Sequence, residues 1–189
     1  MATTEPIRDK KELKRFAEYY LKKGQPRNYL LIVMGVHTAL RISDLLRLKW
    51  DDVYDFKNGR FRSHITLTER KTGKSKAIAL NRNVITALER YLPHKRGIFI
   101  FAGNRKNAAP ISRIQAYRIV KNAAGAVKTA ARISCHSLRK TLGYHAWRSG
   151  AAVVVIMDIY NHSSYEVTRR YLGISQDDRD KVYLNVALI

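Results

Sequence analysis

The sequence predicts a mainly α-helical protein with a small antiparallel β-sheet, an α+β fold spanning residues 1–189 as a single domain. Three observations carry this. Apolar residues recur at helical spacing along most of the chain. An alternating pattern occurs only early, around a glycine-containing turn. At 189 residues and 46% hydrophobic content the chain can bury a sizeable core, and no repeat, low-complexity tract or Pro/Gly/Ser-rich linker divides it.

Taken in order, "RDKKELKRFAEYYLKKG" places Leu13, Phe16, Ala17, Tyr20 and Leu21 on one helical stripe. Asp9 followed by Glu12 forms a capping pattern, and Gly24 with Pro26 stops the helix. "NYLLIVMGVHTAL" is apolar on nearly all sides, as a buried helix would be. A third helix is expected from Ser43, in "SDLLRLKW". "GRFRSHITLT" and "SKAIAL" flank "ERKTGK" and read as a hairpin. Helical patterning returns in "NVITALERYL" and "SRIQAYRIVKNAA", with the short apolar run "IFIF" between them left unassigned. Three further helices are expected at about 137–149, 152–160 and 164–172. The apolar tail, with Val182, Leu184, Val186, Leu188 and Ile189, is expected to pack on its own domain in the free protein.

Charge narrows the function classes. Thirty-six Lys and Arg against 15 Asp and Glu leave a formal net charge of +21. Such an excess repels itself unless a polyanion is the normal partner, and nucleic acid leads an anionic membrane surface. No apolar stretch approaches the roughly 20 residues of a membrane span, and the start lacks the apolar core of a secretory signal. One cysteine, Cys135, excludes an intramolecular disulfide and a cysteine-rich zinc site. A reducing, cytoplasmic setting without membrane association is expected.

Several residues have chemical potential. His136 and Arg139 lie three apart near a helix start, on one face, where backbone N–H groups also point at anions. They are a phosphate site or a capping histidine beside a solvated arginine. Arg41 falls at the junction of a buried and a capped helix and needs an anionic partner, either a carboxylate such as Asp44 or Asp51 or a phosphate. Lys71, Lys74 and Lys76 sit on or beside the hairpin turn. Tyr171 is one of 11 tyrosines, and a phenol with a pKa of about 10 is a poor nucleophile without help. Cys135, next to His136, reads as a structural cysteine, and Trp50 and Trp147 as packing residues.

Read together, "TALRISDLLRLKW", "ERKTGKSKAIAL", "CHSLRKTLGYHAWRSG" and "NHSSYEVTRRYLGI" resemble the tyrosine recombinase (phage integrase) family. The specific feature is an H-x-x-R pair followed, some thirty residues on, by a histidine and a tyrosine nine apart. The resemblance implies the family's catalytic-domain fold and a site-specific recombinase or integrase. Such an enzyme cleaves and rejoins DNA through a 3′-phosphotyrosyl bond, without metal or other cofactor. It implies Tyr171 as nucleophile, Arg41 and Arg139 as phosphate clamps, His136 as proton acceptor or phosphate-positioning group, and His162 as a phosphate contact that also helps hold the nucleophile's helix. Lys71, with Lys74 as the substitute, would be the donor to the leaving 5′-oxygen. Double-stranded DNA would be the partner. A tetramer on DNA is expected from a monomer in solution, with origin in a bacterium, phage or mobile element. A type IB topoisomerase-like relaxing enzyme and a catalytically silent DNA-binding protein of the same fold are the alternatives.

Two departures from the family pattern stand out. Asn161 replaces the usual glycine before the second histidine; asparagine tolerates a left-handed backbone better than other non-glycine residues. Only about 30 residues precede the catalytic region, where the family usually carries an N-terminal helical domain that closes around DNA. A single catalytic domain is therefore expected, cut from a longer protein or naturally minimal, with poor specific affinity but salt-sensitive general binding.

Overall fold

A computed structural model describes residues 4–104 and 109–186. At its centre is α2 (Pro26–His37), whose residues Leu30 to Val36 are all buried, as a helix apolar on all sides requires. Around it pack α1 (Lys10–Lys22), α4 (Arg82–Tyr91) and α6 (Cys135–Arg148), while α5 (Arg113–Ala126) rests mainly on α1. Asp9 caps α1 by accepting from the backbone of Lys11 and Glu12. Contact between α2 and α6 depends on Gly35: a Cβ there would lie 2.6 Å from Leu138 Cδ1.

The expected hairpin is β3 (His64–Thr68) and β4 (Ser75–Ala79), antiparallel, with Thr68 opposite Ser75 and His64 opposite Ala79. Gly73, at φ +65°, supplies the left-handed residue of its turn. A second hairpin, β1 (Tyr54–Asp55) with β2 (Arg60–Phe61), was not foreseen; strands of two residues leave no alternation to detect. The third helix, α3 (Ile42–Leu45), is a single turn. Leu45, Leu46 and Leu48 are all buried, so the chain dives inward instead of running along the surface. There "IFIF" meets it: Trp50 N–H donates to Ile98 O and Ile100 N–H to Leu48 O, each at 2.9 Å.

The last helices are α7 (Val153–Tyr160), α8 (Tyr165–Leu172) and α9 (Gln176–Asn185). The first two build a smaller apolar cluster from Ala39, Ile156, Tyr160, Tyr171 and Leu172. The tail departs from expectation. Val182, Tyr183 and Leu184 on α9 are all exposed, although they point in different directions around the helix. Arg148 tethers the helix start through Asp178, 3.5 Å away; Leu188 and Ile189 lie outside the described residues. Among the described residues no helix is long and apolar enough to cross a membrane.

Tyr160 locks α7 to α6. Its hydroxyl accepts from Gly143 N–H and donates to Arg139 O, both at 2.7 Å, and a Cβ at Gly143 would collide with the ring, 2.7 Å from Cε2. Gly143→Ala should therefore destabilise the protein by about 2 kcal/mol, the middle of the overpacking range. Thermal unfolding would show Tm falling by roughly 4–8 °C; an unchanged Tm would mean that the two helices slide apart freely.

Candidate active site

Helix α2 ends at His37, and the Thr38 hydroxyl donates back to Met34 O. Ala39 then takes a left-handed conformation, φ +53°, unusual for alanine. That turn brings Arg41 to the N-cap of α3 and aims the Ala39 carbonyl at α6. Arg139, 2% exposed, meets that carbonyl with Nη1, and its Nη2 donates to Tyr160 O at 2.9 Å. Its guanidinium is thus fixed by two carbonyls at the ends of two other helices. Ser134 caps α6, which starts two residues earlier than expected and places His136 and Arg139 in its first turns.

At the end of α7, Asn161 occupies the left-handed cap (φ +53°, ψ +44°), as expected for the residue standing in place of glycine. Beyond it His162 Nδ1 lies 3.0 Å from Thr168 Oγ1, which ties it to α8. On α8, Tyr171 is 9% exposed and caged by aromatic rings: Tyr160, His136 and His162 lie 4.8, 4.9 and 5.0 Å away between centroids. Tyr171 Oη is 3.4 Å from His136 Nδ1. Lys140 Nζ sits over the Tyr171 ring at 5.2 Å.

Beneath the arginines lies a residue that sequence reasoning missed. Glu69, wholly buried, accepts from Asn161 Nδ2 at 2.7 Å and from Thr72 Oγ1 at 2.9 Å. Arg41 Nη1 is 2.9 Å from Oε2; Lys76 Nζ and Arg139 Nη1 are 3.2 and 3.7 Å from Oε1. Asp44 belongs to the same scaffold, accepting from Arg70 N–H at the hairpin's edge. Neither Asp44 nor Asp51 is the carboxylate partner of Arg41. That partner is Glu69, which follows the strand and shows no periodic or motif signal of its own.

Arg41, His136, Arg139, His162 and Tyr171 therefore come together in one side-chain cluster, here called the pocket. Lys71 does not: it lies exposed in the hairpin turn, as does Lys74, and neither has an ion pair among the described residues. The lysine that reaches the pocket is Lys76, whose ammonium also donates to Ile159 O. Cys135 is half-buried and packs against the main core, with burial pushing its thiol up to about 11; it has no place among the reactive groups.

Electrostatics set the protonation states. Burial, then the charges of Lys140, Arg139 and Arg41, push His136 down to about 4. Burial with Arg139, Arg41 and Lys76 does the same to His162. Burial raises Tyr171 to about 12, against the opposing pull of Arg139 and Arg41. Burial alone would raise Glu69 too, but hydrogen bonds from Asn161 and Thr72, with the close Arg41 guanidinium and the Lys76 charge, outweigh it and hold the carboxyl at about 2. At neutral pH the pocket thus contains a neutral imidazole beside a protonated phenol, with guanidinium charge around them.

The sequence matches the phage integrase family over residues 8–177. It is 36% identical over 184 residues to the probable integrase/recombinase YoeC of Bacillus subtilis (strain 168), covering 97% of each chain. The chain belongs to the phage integrase family. It is 32% identical over 152 residues to the type 1 fimbriae regulatory protein FimE of Escherichia coli (strain K12), covering 77% of this chain and 73% of that one. Its fold is shared with XerA recombinase (TM-score 0.75, 21% identity, 96% of this chain and 65% of that chain). It is shared equally with XerH recombinase bound to a palindromic difH substrate (TM-score 0.77, 20% identity, 98% of this chain and 54% of that chain). The chain is thus a tyrosine recombinase by family, an enzyme of site-specific DNA strand transfer.

Because the imidazole of His136 is neutral above about pH 4, it is available as a base across the neutral range. The rate of covalent adduct formation on DNA, measured below saturation, should be flat from about pH 6 to 9 and fall only as pH drops toward 4. An acid limb near 6.5, the ordinary histidine value, would show an imidazole not depressed by its neighbours.

Proposed function

We propose that this chain cleaves and rejoins double-stranded DNA with Tyr171 as nucleophile. The convergence of the phenol with a neutral imidazole, the buried guanidinium of Arg139 and the partly exposed one of Arg41 carries the reading. Tyr171 Oη attacks the phosphorus; its proton passes to His136 Nδ1. The bond from phosphorus to the 5′-oxygen breaks, and that oxygen takes a proton from a lysine. A 3′-phosphotyrosyl ester and a free 5′-hydroxyl result. Attack by a 5′-hydroxyl from another strand reverses each transfer and completes exchange.

Arg41 and Arg139 stabilise the charge that builds on the non-bridging oxygens, in a site where partial burial strengthens them. His162 adds a hydrogen bond to the phosphate and steadies α8 through Thr168. Lys71 is the proposed donor, reaching the leaving oxygen as the exposed hairpin turn settles against DNA. The formal charge of +21 supports a duplex DNA partner and strongly salt-dependent binding. The exposed apolar residues of α9 support docking on a neighbouring subunit, with a tetramer formed on DNA from monomers in solution. A single catalytic domain working in the cytoplasm completes the reading.

The test is a pool of nicked duplexes of randomised sequence, from which covalent adducts are recovered on a denaturing gel, sequenced and peptide-mapped. Tyr171→Phe should abolish the adduct while DNA binding stays within about threefold; an adduct of undiminished yield would remove Tyr171 from its role. Arg139→Lys keeps the charge but loses the fork, and should slow cleavage by about a hundredfold or more with a much smaller effect on binding. Equal losses in both would mark a generic phosphate contact. Lys71→Ala should slow adduct formation by at least about tenfold and Lys74→Ala by less than about twofold. The reverse order would exchange their roles.

A further inference from the structure

We infer that Glu69 is a positioning residue for strand cleavage, holding Arg41 and Arg139 in register with the Tyr171–His136 pair, and that Asn161 completes the device. The inference rests on the reading that Tyr171 attacks a phosphate clamped by these arginines.

Four separate parts of the chain meet at this one carboxylate: the hairpin turn through Thr72, the start of α3 through Arg41, α6 through Arg139, and the end of α7 through Asn161. Its placement distinguishes a support from a competitor. A carboxylate competing with phosphate would stand at the pocket mouth, in front of the guanidiniums. Glu69 is wholly buried, whereas the Arg41 side chain retains 22% exposure, so the arginine lies between the carboxylate and solvent.

The bonding pattern agrees. Oε2 receives directed hydrogen bonds from Thr72 and Asn161. Toward the cations the contacts are charge contacts: Arg41 Nη1 and Glu69 Oε1 are buried and make no aligned hydrogen bond. Arg41 is therefore held at Glu69 by charge, whereas Arg139 and Lys76 are also directed by backbone carbonyls. The carboxylate also offsets one of the three positive charges of Arg41, Lys76 and Arg139, which lets them crowd together before DNA arrives.

Asn161 acquires a purpose here. Glycine would satisfy φ +53° at no steric cost, but glycine cannot donate to Glu69. The asparagine amide anchors the residue immediately before His162 to the same carboxylate that anchors Arg41.

The experiment measures adduct formation on a duplex recovered from the randomised pool, in single turnover. It reads the rate at saturating DNA and the half-saturating concentration. Wild-type adduct mapped to Tyr171 is the control, and its absence would overturn the underlying reading whatever the variants do. With that adduct present, Glu69→Gln should lower the saturating rate by about tenfold or more, and the half-saturating concentration should move by less than about threefold. Asn161→Gly should lower the same rate severalfold with the half-saturating concentration unchanged. A Glu69→Gln rate equal to or above wild type would overturn the inference, as bystander or competitor. So would equal losses in rate and half-saturation. If Glu69→Gln does not fold, Asn161→Gly decides alone, since glycine suits that backbone: an unaltered saturating rate would sink the inference.

Discussion

Arg41, Lys76 and Arg139 all pack against the one carboxylate of Glu69 with little of their side chains exposed, and this crowding of like charge is what the surrounding structure has to accommodate. Moving an ionised group out of water costs several kcal/mol after relaxation, and like charges at close range add to that. The protein answers with two kinds of partner. One is the single buried carboxylate of Glu69. The other is a set of backbone carbonyls, from Ala39 and Tyr160 to Arg139, from Ile159 to Lys76, and from Thr4 to the adjoining Lys140. Carbonyl dipoles orient a cation without cancelling its charge. The pocket thus keeps a net positive potential in a preorganised shape, which is what stabilisation of a developing anion requires.

That potential also fixes who carries protons. A histidine buried among cations sheds its proton, burial contributing most and the charges adding to it, so His136 and His162 are neutral where an exposed imidazole would be partly charged. The same cations ought to favour a phenolate, yet burial wins at Tyr171 and the phenol stays protonated. The proposed nucleophile therefore carries its proton at neutral pH. In the proposed reaction a phosphate held by the arginines would place phosphorus beside the phenol, so that proton loss and bond formation could proceed together, with His136 Nδ1 3.4 Å away.

Much of this was legible in the sequence, and the reasons are local. The helices carry their own stripes and caps, as with Asp9 before α1, and the reactive residues sit in short spacings that survive folding, such as His136 to Arg139 on one helix face. What escaped reading is non-local. Glu69 and Asn161 are 92 residues apart, and nothing in either neighbourhood announces the other. Lys76 looked like its neighbours Lys71 and Lys74 because alternation gives only the face of a strand, not what that face packs against. In "SDLLRLKW" the run of leucines resembled helix, whereas each buried leucine is better served by a chain that turns inward to meet Ile98 and Ile100.

The two left-handed residues near the pocket flank carbonyls that serve one partner. Ala39 has φ +53°, and so has Asn161, directly after Tyr160. The carbonyls of Ala39 and Tyr160 are the two that receive the guanidinium of Arg139. A non-glycine residue in this region costs about 1–2 kcal/mol, more for alanine than for asparagine, and persists only where its surroundings demand it. At Asn161 the end of α7 supplies part of that demand, with His162 N–H closing back on Met157 O at 3.0 Å, and at both junctions a carbonyl meets the buried guanidinium. Turning the chain at these two junctions points both carbonyls inward, and the same turns start the segments that carry Arg41 and His162. Arg139 therefore determines where two of its partners stand as well as binding charge itself, so that the fold around the pocket and the geometry of the reaction cannot be altered separately.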